Sequence, residues 1–306
     1  MTAHLARRLV KSLITVVGAA IIVFAILRLA PGDPAQLLLG ETATEQAIRA
    51  LRQRLGLDQP VMVQLGKFLW GLLHGDFGES LSYQRPTLDL IVQAFPATVT
   101  LSAAAFLISL VVAVPIGIAS ATRRGSLLDH ATVTGVLVSQ AMPTFWIGIM
   151  LIFIFAVALR WLPTSGVGTW RHLVLPAVTL ATFQLAMLTR IVRSGMLEVL
   201  GEDYIRTARA KGLAPRRVLV RHAFRNTLIP VVTILALQLG SLLAGAVITE
   251  AVFAWPGIGS LAIRALLARD YPLVQALVLF SSAVIVGLNF LADTAYAILD
   301  PRIRYE

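Results

Sequence analysis

Residues 7–27 read RRLVKSLITVVGAAIIVFAIL, a basic flank of Arg7, Arg8 and Lys11 followed by an apolar run that reaches Arg28. A helix needs about 20 predominantly apolar residues to cross a bilayer core, and this run has that length. It carries no clear small-x-small cleavage pattern, so it is expected to remain as a first membrane helix rather than leave as a signal segment. Comparable windows recur, giving six in all at 9–30, 97–120, 132–159, 173–193, 227–249 and 273–298. Pro115, Pro143, Pro176 and Pro230 belong to these windows, where membrane helices tolerate proline better than soluble ones do. Composition agrees: 57% of the 306 residues are hydrophobic and 14% charged, against roughly 45–50% and 25% in globular proteins.

The expected fold is all-α: a polytopic membrane protein of six transmembrane helices with a small external helical segment after the first. The expected organisation is residues 1–30 for the N-terminus and first helix, 31–96 for the external segment, and 97–306 for a five-helix core. That core contains a basic loop at 190–226.

Net charge is +10, which in a soluble protein would suggest a nucleic-acid partner. The distribution argues against one. Nine of the 26 Lys and Arg residues fall between Arg190 and Arg225, against only Glu198, Glu202 and Asp203. No zinc-finger, RNA-recognition or basic-zipper spacing is present. Lysine and arginine mark the cytoplasmic side of a membrane protein. Sixteen lie at the N-terminus, at Arg123–Arg124, in the basic loop and at the C-terminus, against Arg160, Arg171, Arg264 and Arg269 opposite. The 31–96 segment is long enough that its charges count little. Both termini and the loop are therefore expected in the cytoplasm.

The external segment has helical signals of its own. In ETATEQAIRALRQRLG, Thr42 and Glu45 stand at capping-box spacing, Ile48, Leu51 and Leu55 share a face, and Gly56 occupies a stop position. In PVMVQLGKFLWGLLHG, Pro60 suits a first turn and Gly75 a stop. The apolar face of Leu65, Phe68, Leu69 and Leu72 needs cover.

Enzymatic constellations are missing. There is no phosphate loop of the form G-x-x-x-x-G-K-[ST], no H-E-x-x-H and no G-x-S-x-G. The absence of cysteine excludes disulfides and thiol chemistry. GIGSLA at 257–262 has dinucleotide-like spacing but follows Trp255–Pro256 rather than a strand, and is read as a turn. Polar residues within spans are costly and so are functional candidates: Gln184, Gln238, Asn289 and Asp293, with Glu250 near an outer end. The competing reading is interhelical hydrogen bonding.

The loop is the most informative stretch. EDYIRTARAKG puts Glu202 and Asp203 in a first turn, Lys211 in a last turn and Gly212 at the position after the cap. A helix of that length spans about 14 Å and is marginal alone in water, so it should dock on something. Pro215 suits the start of a second helix, on which Arg217, Arg221 and Arg225 form a basic stripe suited to anionic headgroups.

The chain resembles the membrane permease subunits of ATP-binding-cassette (ABC) importers, in the dipeptide, oligopeptide and nickel branch. The resemblance is carried by LAPGDPA (29–35), LGLDQP (55–60), GDFGESL (75–81), LPTSG (162–166), LPAVTLA (175–181) and EDYIRTARAKGL (202–213). RHAFRNTLIPVVT (221–233), EAVFAWPGIGSLA (250–262), ARDYP (268–272) and the terminal DPRIRY continue it. It implies that the loop carries a short coupling helix seated in a groove of an ATPase subunit, with Ala208 and Gly212 matching the motif's Ala and Gly. Glu202, Asp203, Arg206, Ala210 and Lys211 complete that candidate surface. Arg206 stands where the general motif has Glu, and Gly212 is followed by a longer interval to Pro230. Gln184, Gln238, Asn289 and Asp293 become candidates for the translocation path. Asp33, Glu250, Trp255 and Gly257, in the outer blocks, become candidates for an external gate or a binding-protein contact.

The implied partners are a second permease, two ATPase subunits, an external substrate-binding protein and the lipid bilayer of a bacterial inner membrane. ATP and magnesium would bind on the ATPase subunits, with no cofactor and no metal on this chain. Peptides, glutathione and nickel chelates are all open as substrates, and a self-sufficient channel, secondary transporter or membrane-embedded enzyme is the alternative from other classes.

Overall fold

A computed structural model describes residues 2–29, 36, 44–54 and 56–299. Among the described residues there is no β-strand beyond one isolated bridge, Glu79 to Pro86. The helices are α1 (Thr2–Leu29), α2 (Glu45–Arg54), α3 (Val61–Leu73), α4 (Thr87–Thr122), α5 (Leu127–Ala141) and α6 (Thr144–Leu151). They continue with α7 (Trp170–Leu200), α8 (Asp203–Ala210), α9 (Arg225–Val252), α10 (Ile258–Leu267) and α11 (Tyr271–Leu299). Wide π-turns extend α6 over Ile152–Ala158 and lead into α9 over Val218–Phe224.

Four of these helices, α1, α4, α7 and α11, are long and apolar enough to cross a membrane. They bear the lipid-facing signature of exposed large apolar side chains, such as Leu13, Ile14, Val111 and Leu291. The window 132–159, expected as one span, is broken. α5 and α6 meet at 107° across Met142–Pro143, so the pair is either a bent span or a re-entrant loop. Pro143 supplies no amide hydrogen and pushes Met142 into an extended conformation (φ −87°, ψ 134°), which ends α5 there. The window 227–249 falls inside α9, a helix of 28 residues.

The chain divides into two compact units, residues 1–97 with 257–294 and residues 98–256 with 295–306. In the first, Leu90, Ile91, Ile258, Leu261, Ala265, Leu273, Ala276 and Leu277 form the core. Phe95 and Phe280 meet edge to face at 5.1 Å beside it. The apolar face of α3 is half-buried in this unit, where Phe68 stacks on Phe24 of α1 at 5.7 Å. α2 and α3 end as expected, with Gly56 and Gly75 at φ of +63° and +76°.

Their starts differ from expectation. Thr42 lies outside the described residues, as does the side chain of Leu51 and all of Leu55. Thr44 caps α2 instead, its hydroxyl accepting from Ala47 N–H at 3.3 Å. Pro60 is the cap of α3 rather than part of its first turn. GIGSLA, expected as a turn, opens α10: Gly257 is its cap, and Ile258, Gly259, Ser260 and Leu261 are buried in the helix's first turns. Because a helix precedes it in place of a strand, the dinucleotide reading stays excluded.

In the second unit α7 packs against α5, α6 and α9. Its core gathers Leu188, Val192 and Met196 of α7 with Ala113 and Ala121 of α4, Ile205 and Ala208 of α8, and Val231 and Leu235 of α9. Two glycines set how closely the helices cross. A Cβ on Gly117 would stand 2.8 Å from Val192, and one on Gly195 would stand 2.8 Å from Thr227 Cγ2. The second helix expected from Pro215 starts there, with proline at its first position. It then loosens into the π-turns before α9.

Candidate functional site

The sequence EDYIRTARAKG folds as the isolated helix α8, with Glu202 as its N-cap residue and Lys211 as its C-cap residue. Gly212 follows at φ +72°. Gly212 N–H donates to Arg209 O at 2.9 Å and Leu213 N–H to Ala208 O at 3.4 Å. These are the paired closing bonds of a left-handed helix stop, the conformation that favours glycine. Eight residues cannot hold a helix alone in water, and the apolar side of α8 supplies what is missing. Ile205 and Ala208 are 0% and 7% exposed and sit in the core of α7 and the π-turns. A polar tether adds to this, since Asn226 Nδ2 donates to Tyr204 Oη at 2.7 Å and to His222 O at 3.0 Å.

Docking through that side leaves the other side outward: Asp203, Arg206, Arg209, Ala210, Lys211 and Gly212 are exposed. Arg206 and Asp203 pair at 3.1 Å, a solvent-exposed contact of little energetic weight. Ala208 therefore belongs with the anchoring side, and the outward surface is built from its neighbours. Arg217, Arg221 and Arg225 are likewise exposed.

A cluster that sequence reading missed ties α4, α5 and α7 together. Asp129, in the first turn of α5, accepts two bonds from Arg193 of α7, Nε to Oδ1 at 2.7 Å and Nη2 to Oδ2 at 3.0 Å. Ser120 Oγ donates to Oδ1 at 2.5 Å and Gly125 N–H to Oδ2 at 2.9 Å. Sequence signals for it existed. GSLLD carries Ser126 and Asp129 at capping-box spacing, and the Ser126 hydroxyl does accept from Asp129 N–H at 3.3 Å. Arg193 is a cation near the end of an apolar helix with no acid three or four residues away.

Of the translocation candidates, Gln184 and Gln238 are buried, 2% and 8% exposed. They stand one turn from Leu188 and Leu235, which share a core cluster, so both belong to the packing of α7 and α9. Gln184 leaves Nε2 and Oε1 without a hydrogen-bond partner, and Gln238 leaves Nε2 so. Ser102 Oγ and Thr189 Oγ1 are also buried without a partner. Bare polar atoms inside a bundle are costly and can bind the amide or carbonyl groups of a ligand. Asn289 is exposed on α11. The side chain of Asp293 and the whole of Asp33 lie outside the described residues. Separately, Pro115 and Ile116 of α4, Leu128 and Gly135 of α5, and Leu185 and Thr189 of α7 line a mostly apolar groove of about 650 Å³.

Of the outer candidates, Glu250 and Trp255 are held by hydrogen bonds. Glu250 is fully buried and its Oε1 accepts from Thr98 Oγ1 at 2.6 Å. Trp255 N–H donates to Glu250 O at 2.8 Å, and Ala254 between them is held at φ +48°, a strained value for a residue with a Cβ. In the other unit, the GDFGESL loop is fixed by buried Asp270, a residue singled out only as part of ARDYP. Asp270 Oδ2 accepts from Ser80 Oγ at 2.5 Å and Ser82 N–H at 3.0 Å, while Oδ1 caps α11 through Leu273 N–H at 3.2 Å.

Residues 113–305 match the family described as binding-protein-dependent transport system inner membrane component, and residues 1–102 match its N-terminal counterpart. The chain is 42% identical to the di/tripeptide transport system permease protein DppB of Pseudomonas aeruginosa, with both chains fully covered. It is 40% identical, again over the full length of both, to the dipeptide transport system permease protein DppB of Escherichia coli K12. Among solved structures it is similar in fold to an inward-facing MetNI methionine ABC transporter. The TM-score is 0.56 at 17% identity, covering 69% of this chain and 96% of that one.

Proposed function

Since the chain belongs to the binding-protein-dependent transport system inner membrane component family, we propose that it is the permease subunit of a peptide-carrying ABC importer. In this reading it forms half of the translocation pathway. The full-length identity to relatives named for dipeptides and di/tripeptides favours peptides over nickel chelates. The observation that carries the mechanism is α8, a capped eight-residue helix held by Ile205 and Ala208 with its charged side presented outward. That is the form of a socketed element, and its socket is an ATPase subunit. ATP and magnesium are bound by two such partner subunits, a second permease completes the pathway, and an external binding protein delivers the substrate. The chain lies in the inner membrane with both termini and α8 in the cytoplasm, as the arginine and lysine distribution favours.

The test is reconstitution in liposomes. The complete set of subunits should import labelled dipeptide with ATP inside, and this chain alone should neither transport nor hydrolyse. Peptide transport or hydrolysis by the chain alone would sink the reading and favour a self-sufficient transporter.

A further inference from the structure

α7 runs unbroken from Trp170 to Leu200, and α8 begins three residues later. Displacement of α8 bears on the last turns of α7 through the core that Ile205 and Ala208 share with Met196 and Val192. In those turns α7 is held to three other helices. Val192 crosses α4 at Gly117, Gly195 crosses α9 at Thr227, and Arg193 holds Asp129 of α5. The first two are close apolar crossings, where a small residue lets the helices approach and dispersion holds them.

The third differs in kind. A guanidinium and a carboxylate meet through two parallel bonds of 2.7 and 3.0 Å, a planar geometry that fixes both distance and orientation. Asp129 is itself fixed by Ser120 at the end of α4 and by Gly125 in the α4–α5 turn, while Arg193 Nε also reaches Ser120 Oγ at 3.1 Å. α5 leads directly to the 107° bend before α6, so a movement imposed on its first turn is carried to a joint.

We infer that the Asp129–Arg193 pair is the positioning contact that passes displacement of α8, through α7, to α5 and the bend at Met142–Pro143. This rests on the reading of α8 as the ATPase seat. Breaking the pair should uncouple hydrolysis from transport without detaching the ATPase subunits.

The experiment measures dipeptide uptake and ATP hydrolysis in the same proteoliposomes of the complete importer, with subunit recovery by pull-down. Arg193→Gln and Asp129→Asn should retain the ATPase subunits and hydrolyse ATP, while peptide moved per ATP falls about tenfold, within the usual range of coupling between sites. The cysteine-free chain permits a direct control. Asp129→Cys with Arg193→Cys should be uncoupled as purified and recoupled by a short bifunctional thiol crosslinker. Recoupling shows that the mechanical tie matters, in a protein already shown to be assembled.

An unchanged ratio in Arg193→Gln, a crosslinked pair that stays uncoupled, or loss of the ATPase subunits from Arg193→Gln would each overturn the inference. The seat is read separately. If Gly212→Val and Arg209→Glu both keep full subunit recovery and uptake, the reading of α8 fails, whatever Arg193 does.

Discussion

At the scale of single residues, Gly212 and Asp270 show two ways in which one position governs a local structure. A Cβ on Gly212 would meet nothing within 4 Å, yet φ is +72°, so a substitution there costs backbone strain rather than packing. Alanine should weaken the α8 stop by about 1 kcal/mol, valine by more, and asparagine by less because it tolerates the left-handed region. Recovery of ATPase subunits should follow the order Gly, Asn, Ala, Val. Equal recovery across the series would show that the stop geometry does not matter for docking. Asp270 holds a loop and a helix start with one buried carboxylate. Asp270→Ala removes both and should cost ~2 kcal/mol, read as a lower melting temperature and faster proteolysis within 75–86. Asp270→Asn, which still accepts from Leu273 N–H, should lose less. A wild-type melt for Asp270→Ala would mean that the loop is held by other contacts.

Helices pack here by close approach as much as by apolar area. Gly195 is the clearest case, because Thr227 is β-branched, 1% exposed, and bonded to Ala223 O at 3.2 Å, so it cannot swing away from a new methyl group. Gly195→Ala should destabilise the α7–α9 contact by about 1–3 kcal/mol. Gly18→Ala on α1, where a Cβ meets nothing within 4 Å, should be neutral or slightly stabilising through helix propensity. Melting of the purified protein distinguishes them, and equal shifts would refute the close-crossing account. α8 obeys the same logic with the opposite residue type. Ile205 is fully buried, so Ile205→Ala opens a cavity worth about 2–5 kcal/mol. It should free α8 while leaving the membrane helices in place, visible as faster amide exchange over 203–210 and as lost ATPase recovery.

At the scale of the whole molecule, charge distribution and burial make a joint demand. The basic loop sits on one side, with Arg206 and Arg216 exposed. The chain contains no cysteine, so Arg206→Cys and Arg216→Cys should resist an impermeant thiol reagent added outside intact cells and react once the membrane is opened. Val63→Cys, on exposed α3, should react from outside. Labelling of position 206 or 216 from outside would invert the topology, and with it the placement of the ATPase subunits.

Sequence alone determined the elements whose physics is local. Apolar runs of bilayer length gave the long helices, because within lipid a single continuous segment satisfies its own backbone only as a helix. Gly56, Gly75 and Gly212 marked helix stops, since positive φ selects glycine from the residue itself. Pro143 was visible too, but whether a proline is absorbed in a span or breaks it depends on the neighbours available to the freed backbone groups. Only the tertiary structure showed the 107° break. What faces what was likewise undecided by sequence. Ala208 sat among the candidate contacts of a partner and proves to anchor α8 to its own chain. Gln184 and Gln238, candidates for a path, are buried with polar atoms left bare, which only the packing shows. Asp129 meets Arg193 and Asp270 meets Ser80 across 64 and 190 residues of chain. Local spacing could mark Asp129 as a helix start, but the pairing itself leaves nothing to read, because the helix packing that brings the partners together is the sum of many weak contacts spread along the chain.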